Sequence, residues 1–180
     1  QPVLHPAVVD RDDGRVAQLA GDGRLPLEDL DRARVAGQLP LRLEAVRAFL
    51  AEALPPGARL AAVAGRGGLL APVPAGTLRA TPGMAAELLA APRGEHASNL
   101  GVPLALAVAG EHGCPAFTVD PVSVDELDAV ARVTGLAGVE RRSLAHALNI
   151  RAVARRHARA AGRALADLRL VVAHLGTGVS

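Results

Sequence analysis

No tryptophan, tyrosine or lysine occurs in the sequence, and phenylalanine occurs only twice, at Phe49 and Phe117. A core is still affordable, because half of the 180 residues are hydrophobic, but it has to be filled by Ala, Leu and Val through many small contacts. The lack of aromatics for stacking, with a nearly balanced charge, also argues against a nucleic-acid partner. All twenty basic residues are Arg, and with the Ala and Gly content this reads as GC-rich codon usage without functional weight. Net charge is only +2, so the pI of about 9.8 reflects the high pKa of Arg rather than a dense positive field. One cysteine, Cys114, excludes an internal disulfide and fits a reducing compartment. No apolar run reaches the ~18 residues of a membrane span, and no signal-peptide pattern opens the chain, so a cytoplasmic protein without membrane partners is expected.

What is present is alternation. Residues 1–40 form a poorly defined segment: Val3 to Val9 suits a short strand, while Arg11 to Gly23 is broken by turn signals. Leu43, Val46, Phe49, Leu50 and Leu54 then recur at the helical period until Pro55-Pro56-Gly57 stops them. Leu60 to Ala64 reads as a buried strand delivering the loop Gly65-Arg66-Gly67-Gly68. Helices are expected over 82–91, over about 98–112 with Pro103 in the first turn, and from about Glu140 to Ala161. Strands are expected at Ala116 to Val119 and at Leu168 to Ala173. Strand and helix in turn predict an α/β domain whose sheet is covered by helices.

Several segments carry chemistry. Arg66 among glycines places a permanently charged, bidentate donor where backbone is open, suiting a phosphate or carboxylate; a turn with a surface Arg is the plainer alternative. Gly94-Glu95-His96-Ala97-Ser98-Asn99 precedes a helix, so it reads either as an anion-facing turn or simply as a cap supplied by Ser98 or Asn99. Asp120 follows a strand, where α/β sheets bind ligands, although Asp-Pro also merely ends strands. His146, Asn149 and Val153 fall on one helical face. His112 and Cys114 are too few for a zinc site, so no metal site is expected, and no Gly-x-Ser-x-Gly nucleophile elbow occurs.

Read together, Gly65-Arg66-Gly67-Gly68-Leu69-Leu70, Gly94-Glu95-His96-Ala97-Ser98-Asn99-Leu100, Val119-Asp120-Pro121, the run Glu140 to Asn149, and Ala173-His174-Leu175-Gly176 resemble butyrate kinases, with acetate kinases as more distant relatives. The resemblance runs from about residue 41 to the end. It implies an actin-like phosphotransferase (ribonuclease H-like) fold, here incomplete: residues 41–180 would be the acceptor-side domain, ending at the start of the nucleotide-binding half. It also implies ATP and magnesium, a butyrate-like short or branched acid as phosphoryl acceptor, and association into homo-oligomers. Arg66 would bind the carboxylate or the transferring phosphoryl group. His96 and Asn99 would bind substrate, Asp120 and His146 would act at the acceptor side, and Gly176, Thr177 and Gly178 would lie by the nucleotide phosphates. Two features depart from the family pattern. An Asn-Pro-Gly-Ser-type phosphate loop is missing before residue 41, and Thr177 stands where butyrate kinases usually carry Gly. These departures motivate the alternative of a non-catalytic remnant or binding module that keeps the fold and an anion site.

Overall fold

The computed structural model describes residues 7–10, 16–18 and 34–175, and the chain divides into two compact units. The first, residues 1–70 and 76–119, holds a mixed sheet of five strands in the order β2-β1-β3-β5-β4. Its strands are β1 (Ala7–Asp10), β2 (Val16–Gln18), β3 (Leu60–Gly65), β4 (Thr77–Arg79) and β5 (Ala116–Val119). β1 pairs antiparallel with both β2 and β3, β3 runs parallel to β5, and β4 closes that edge antiparallel to β5. The parallel pair sets Gly65 opposite Thr118, so the glycine-rich loop leaves the sheet beside the end of β5.

Among the described residues, three α-helices pack with this sheet around one core. α1 (Leu39–Ala53) takes Pro40 in its first turn, where the missing N–H costs nothing, and buries Val46 and Leu50 one turn apart. α2 (Pro82–Ala90) is capped by Thr81, whose Oγ1 accepts the Met84 N–H at 3.2 Å, and ends at Ala91 in the left-handed region. α3 (Gly101–His112) buries Val102, Leu104, Ala105, Val108 and Ala109 and ends at left-handed Gly113. Of these, Val102, Ala105, Val108 and Ala109 close on Leu60 and Val63 of β3 and Ala116 of β5 in one aliphatic core, with Phe49 packed against it.

The helix and strand expectations for this unit hold to within a few residues, except that β4 and β2 carried no readable signal. Ala7–Asp10 overlaps the end of Val3 to Val9, which suited a short strand without requiring one; Val3 to Pro6 lie outside the described residues.

The second unit comprises residues 71–75 and 120–180. Val73 bridges Val124 in parallel, its N–H donating to Ser123 O at 3.2 Å and its carbonyl accepting the Asp125 N–H at 3.0 Å. A short 3-10 turn, Ala129–Arg132, is clamped by Arg132, whose two terminal nitrogens donate to the Asp125 carboxylate at 2.8 and 2.9 Å.

Two expectations fail here. The long helix begins only at Ala147, as α4 (Ala147–Ala160), because the preceding backbone is engaged elsewhere. Glu140 bridges Val133, Ser143 Oγ donates to Val124 O at 2.7 Å, and the Ala145 N–H donates to Val122 O at 3.3 Å. Leu168 to Ala173 is not a strand: its residues carry no ladder among the described residues, and Val171 is fully exposed. No described helix is long and apolar enough to cross a membrane.

Candidate functional site

In the first unit the loop after β3 meets the turn before α3 backbone to backbone. A Cβ on Gly101 would run into the Arg66 carbonyl group, 2.6 Å from its carbon. A Cβ on Gly68 would lie 2.6 Å from Asn99 Cα. Both glycines are therefore required by close approach, which lets the Arg66 loop and the 3-10 turn Ala97–Leu100 share one surface.

Asn99 locks that contact. Its side chain is buried, with Oδ1 accepting the Leu69 N–H and Nδ2 donating to Gly94 O, each at 3.0 Å. The Leu69 carbonyl is held in turn by Arg93 Nε at 3.1 Å, and Arg93 pairs with Glu87. Asn99 thus has its amide oxygen and nitrogen committed inside the protein, and its visible work is to hold the loops on either side of it.

Arg66 differs from the other arginines around it. It is half-buried, and no hydrogen bond or ion pair engages its guanidinium among the described residues. Burial alone draws its pKa below the ordinary arginine value. A cation that gives up water without a carboxylate partner is costly unless an anionic ligand is its intended partner.

His96 adopts an extended backbone at the start of the 3-10 turn and folds its ring back, Nδ1 lying 2.6 Å from Ser98 Oγ and 3.2 Å from the Ser98 N–H. The neighbouring Glu95 carboxylate is taken by Arg34 Nε at 2.8 Å and by the Val35 N–H at 3.2 Å; these contacts hold it below the usual carboxylate range.

In the second unit Asp120 is buried and takes a positive φ of 39°, an uncommon conformation for a residue with a Cβ and one that clusters at functional positions. Arg151 Nε lies 3.8 Å from its Oδ1, while Arg151 also pairs with Glu126 at 2.5 Å, so one guanidinium serves two carboxylates. His146 stands just before α4 rather than within it, and its carbonyl accepts the first helical bond, from Ile150 N–H at 3.0 Å. The shared helical face expected for His146 and Asn149 is therefore not formed. Instead the His146 ring stacks on His174, centroids 4.1 Å apart and planes inclined by 20°.

Gly176, Thr177 and Gly178 lie outside the described residues. Sequence reasoning did not single out Arg151 among the arginines of its helix, and read Ser98 as part of an anion-facing turn or as a cap. Among the described residues no group of three or more His, Cys, Asp or Glu side chains is placed to hold a metal ion.

No family model matches the chain. Individual relatives do. Butyrate kinase 1 of Clostridium acetobutylicum is 50% identical over 121 residues, covering 67% of this chain and 34% of the relative. The probable butyrate kinase of Coprothermobacter proteolyticus is 52% identical over 122 residues, covering 67% and 34%. That of Oleidesulfovibrio alaskensis is 49% identical over 152 residues, covering 82% and 41%. An α/β unit with a glycine-rich loop at a strand end, matched at this level, is a segment of kinase-family sequence. The chain belongs to the butyrate kinase family and spans between a third and about two fifths of the length of these relatives.

Proposed function

We propose that this chain supplies the acceptor-side part of a carboxylate kinase that moves the γ-phosphoryl group of ATP reversibly to butyrate or a similar short or branched acid. In this reading the sheet and its helices are part of an actin-like phosphotransferase (ribonuclease H-like) domain, and the protein works in the cytoplasm. A carboxylate oxygen attacks the γ-phosphorus, the bond to the bridging oxygen breaks, and ADP leaves with the electron pair. The acid is already ionised near pH 7, so no strong base is needed and catalysis is positioning and charge neutralisation.

The observation that carries the reading is Arg66, a half-buried guanidinium with no protein partner among the described residues at the end of a buried strand. It is assigned to the carboxylate or the transferring phosphoryl group, whose paired oxygens suit its fork of donors. His96 is assigned as a hydrogen-bond donor to substrate. Asn99 acts by holding the Arg66 and His96 loops. Asp120, beside Arg151, is an orienting carboxylate, and His146 is a donor steadied by His174. Gly176, Thr177 and Gly178 are assigned to the nucleotide phosphates. Magnesium is implied with ATP; among the described residues no group of three or more His, Cys, Asp or Glu side chains is placed to hold it. Identity of 49 to 52% to butyrate kinases favours this reading over a non-catalytic remnant.

The test is hydroxylamine trapping of acyl phosphate from butyrate and ATP, using a polypeptide of butyrate kinase length in which this chain supplies its matched portion. Product should form, and Arg66→Ala should lower turnover by about two to three orders of magnitude, as for loss of one group stabilising charge in a transition state. Absence of product with the unaltered residues would sink the proposal; a full rate in Arg66→Ala would remove Arg66 from the site.

A further inference from the structure

The 3-10 turn is capped not by Ser98 or Asn99 but by His96, whose ring accepts the Ser98 N–H, and the Ser98 hydroxyl has a different part. His96 stands extended, φ −149° and ψ 144°, and its imidazole turns back over the short 3-10 turn so that Nδ1 faces two groups of the same residue, the Ser98 N–H at 3.2 Å and Oγ at 2.6 Å. A backbone N–H can only donate, so Nδ1 has to offer its lone pair; a proton on Nδ1 would face a second donor head on. The hydroxyl can point its hydrogen at the same lone pair. Ser98 is 2% exposed, so that hydroxyl has little bulk water as an alternative. With Nδ1 engaged as acceptor, the neutral ring carries its proton on Nε2. His96 itself is exposed, and the adjacent Glu95 carboxylate is engaged by Arg34 and Val35.

We infer that Ser98 is a positioning residue that locks His96 as the Nε2–H tautomer, making the free edge of the ring a hydrogen-bond donor. A donor is the polarity that an anionic carboxylate or phosphoryl oxygen accepts, whereas the other tautomer would present a lone pair and repel it. The functional meaning rests on the assignment of His96 to the substrate; the tautomer itself does not.

Long-range proton–nitrogen correlation spectra of the nitrogen-15-labelled chain, recorded above the ordinary histidine titration range near pH 6.5, decide the matter. The His96 ring should show an imine-type Nδ1 and a pyrrole-type Nε2 in a single tautomer. In Ser98→Ala the Nδ1 resonance should move downfield, toward that of an unbonded imine nitrogen, with the backbone spectrum away from residues 94–101 unchanged. A pyrrole-type Nδ1 in the wild type overturns the inference, and so does an Nδ1 resonance that stays fixed when the hydroxyl is removed from a folded chain. If Ser98→Ala fails to fold, the wild-type ring still tests the inference: an imine-type Nδ1 shifted upfield of an unbonded one supports it, and a pyrrole-type or unbonded Nδ1 overturns it. No substrate or nucleotide is present in these spectra, so failure of the kinase assignment would leave their outcome untouched.

Discussion

Asn99 Oδ1 accepts the Leu69 N–H at 3.0 Å across thirty residues of sequence, and through that bond the turn before α3 fixes the loop that carries Arg66. The amide nitrogen makes the matching bond backward, to Gly94 O. Asn99→Asp keeps the acceptor but sets a carboxylate oxygen against the Gly94 carbonyl. It should cost about 2–3 kcal/mol of stability, since it buries an unmatched charge-bearing group. Urea unfolding of the two chains measures this, and a difference below about 0.5 kcal/mol, the size of an ordinary surface substitution, would show that the bridge is not needed.

Gly101 and Gly110 lie on the same helix and make a matched pair. At Gly101 a Cβ meets the Arg66 carbonyl group, backbone against backbone, while at Gly110 it meets nothing within 4 Å. Gly101→Ala should destabilise by about 1–3 kcal/mol through overpacking. Gly110→Ala should instead stabilise by roughly 0.5–1 kcal/mol, the helix-interior difference between the two residues. Equal effects in denaturant titrations would contradict the close approach.

The Thr118 hydroxyl is buried and has no hydrogen-bond partner among the described residues. Replacing it with the isosteric Val removes a desolvated polar atom and keeps the branched shape that suits a strand. Thr118→Val should therefore be neutral or stabilising by up to about 1–2 kcal/mol. A loss of stability in the same titration would reveal a partner for the hydroxyl in solution.

Acid should weaken the second unit through Asp125. Hydrogen bonds from Arg132, aided by the Leu127 N–H, hold this carboxyl below its ordinary value. A lowered folded pKa means that the stabilisation is complete above the unfolded value and is lost as pH falls through the folded one, that is, below about pH 4. Thermal melts from pH 7 to pH 3 should show Tm falling at the acid end. Asp125→Asn should start lower and fall less steeply, and parallel curves would remove Asp125 as a source of the slope.

Arg66 links stability to function. A half-buried cation without a partner among the described residues should weigh against the fold, so Arg66→Met, which keeps the aliphatic stem, should raise stability on the order of 1 kcal/mol while lowering turnover in the hydroxylamine assay by about two to three orders of magnitude, as for Arg66→Ala. A destabilised Arg66→Met would mean that the guanidinium has a structural partner.

The first unit was largely legible because its signals are local. Leu43, Val46, Leu50 and Leu54 repeat at helical spacing, Pro55 and Pro56 end the run, and Leu60 to Ala64 is too short and too apolar to be anything but a buried strand. β4 was not legible: three residues with only Leu78 partly buried show no period, and pairing with β5 defines them. Residues 140–146 misled because Ala and Arg favour helix, yet Ser143 and Ala145 are hydrogen-bonded to Val124 and Val122, partners about twenty residues away. Leu168 to Ala173 had the composition of a strand but no ladder among the described residues. At the site, Arg66 and His96 stood out by residue type. The commitment of the Asn99 amide to Leu69 and Gly94 did not, because a hydrogen bond between distant segments leaves no trace in spacing.

Val73 gives the second unit a peculiar genetics. Its bonds to Ser123 and Asp125 belong to that unit, yet it is encoded between Leu70 and Gly76, both of which belong to the first. A gene fragment cut at Asp120 would leave Val73 behind, and a recombination crossover anywhere between codons 76 and 119 would join halves drawn from different parents inside both units at once. Residues 71–75 and 120–180 are therefore expected to tolerate exchange only together.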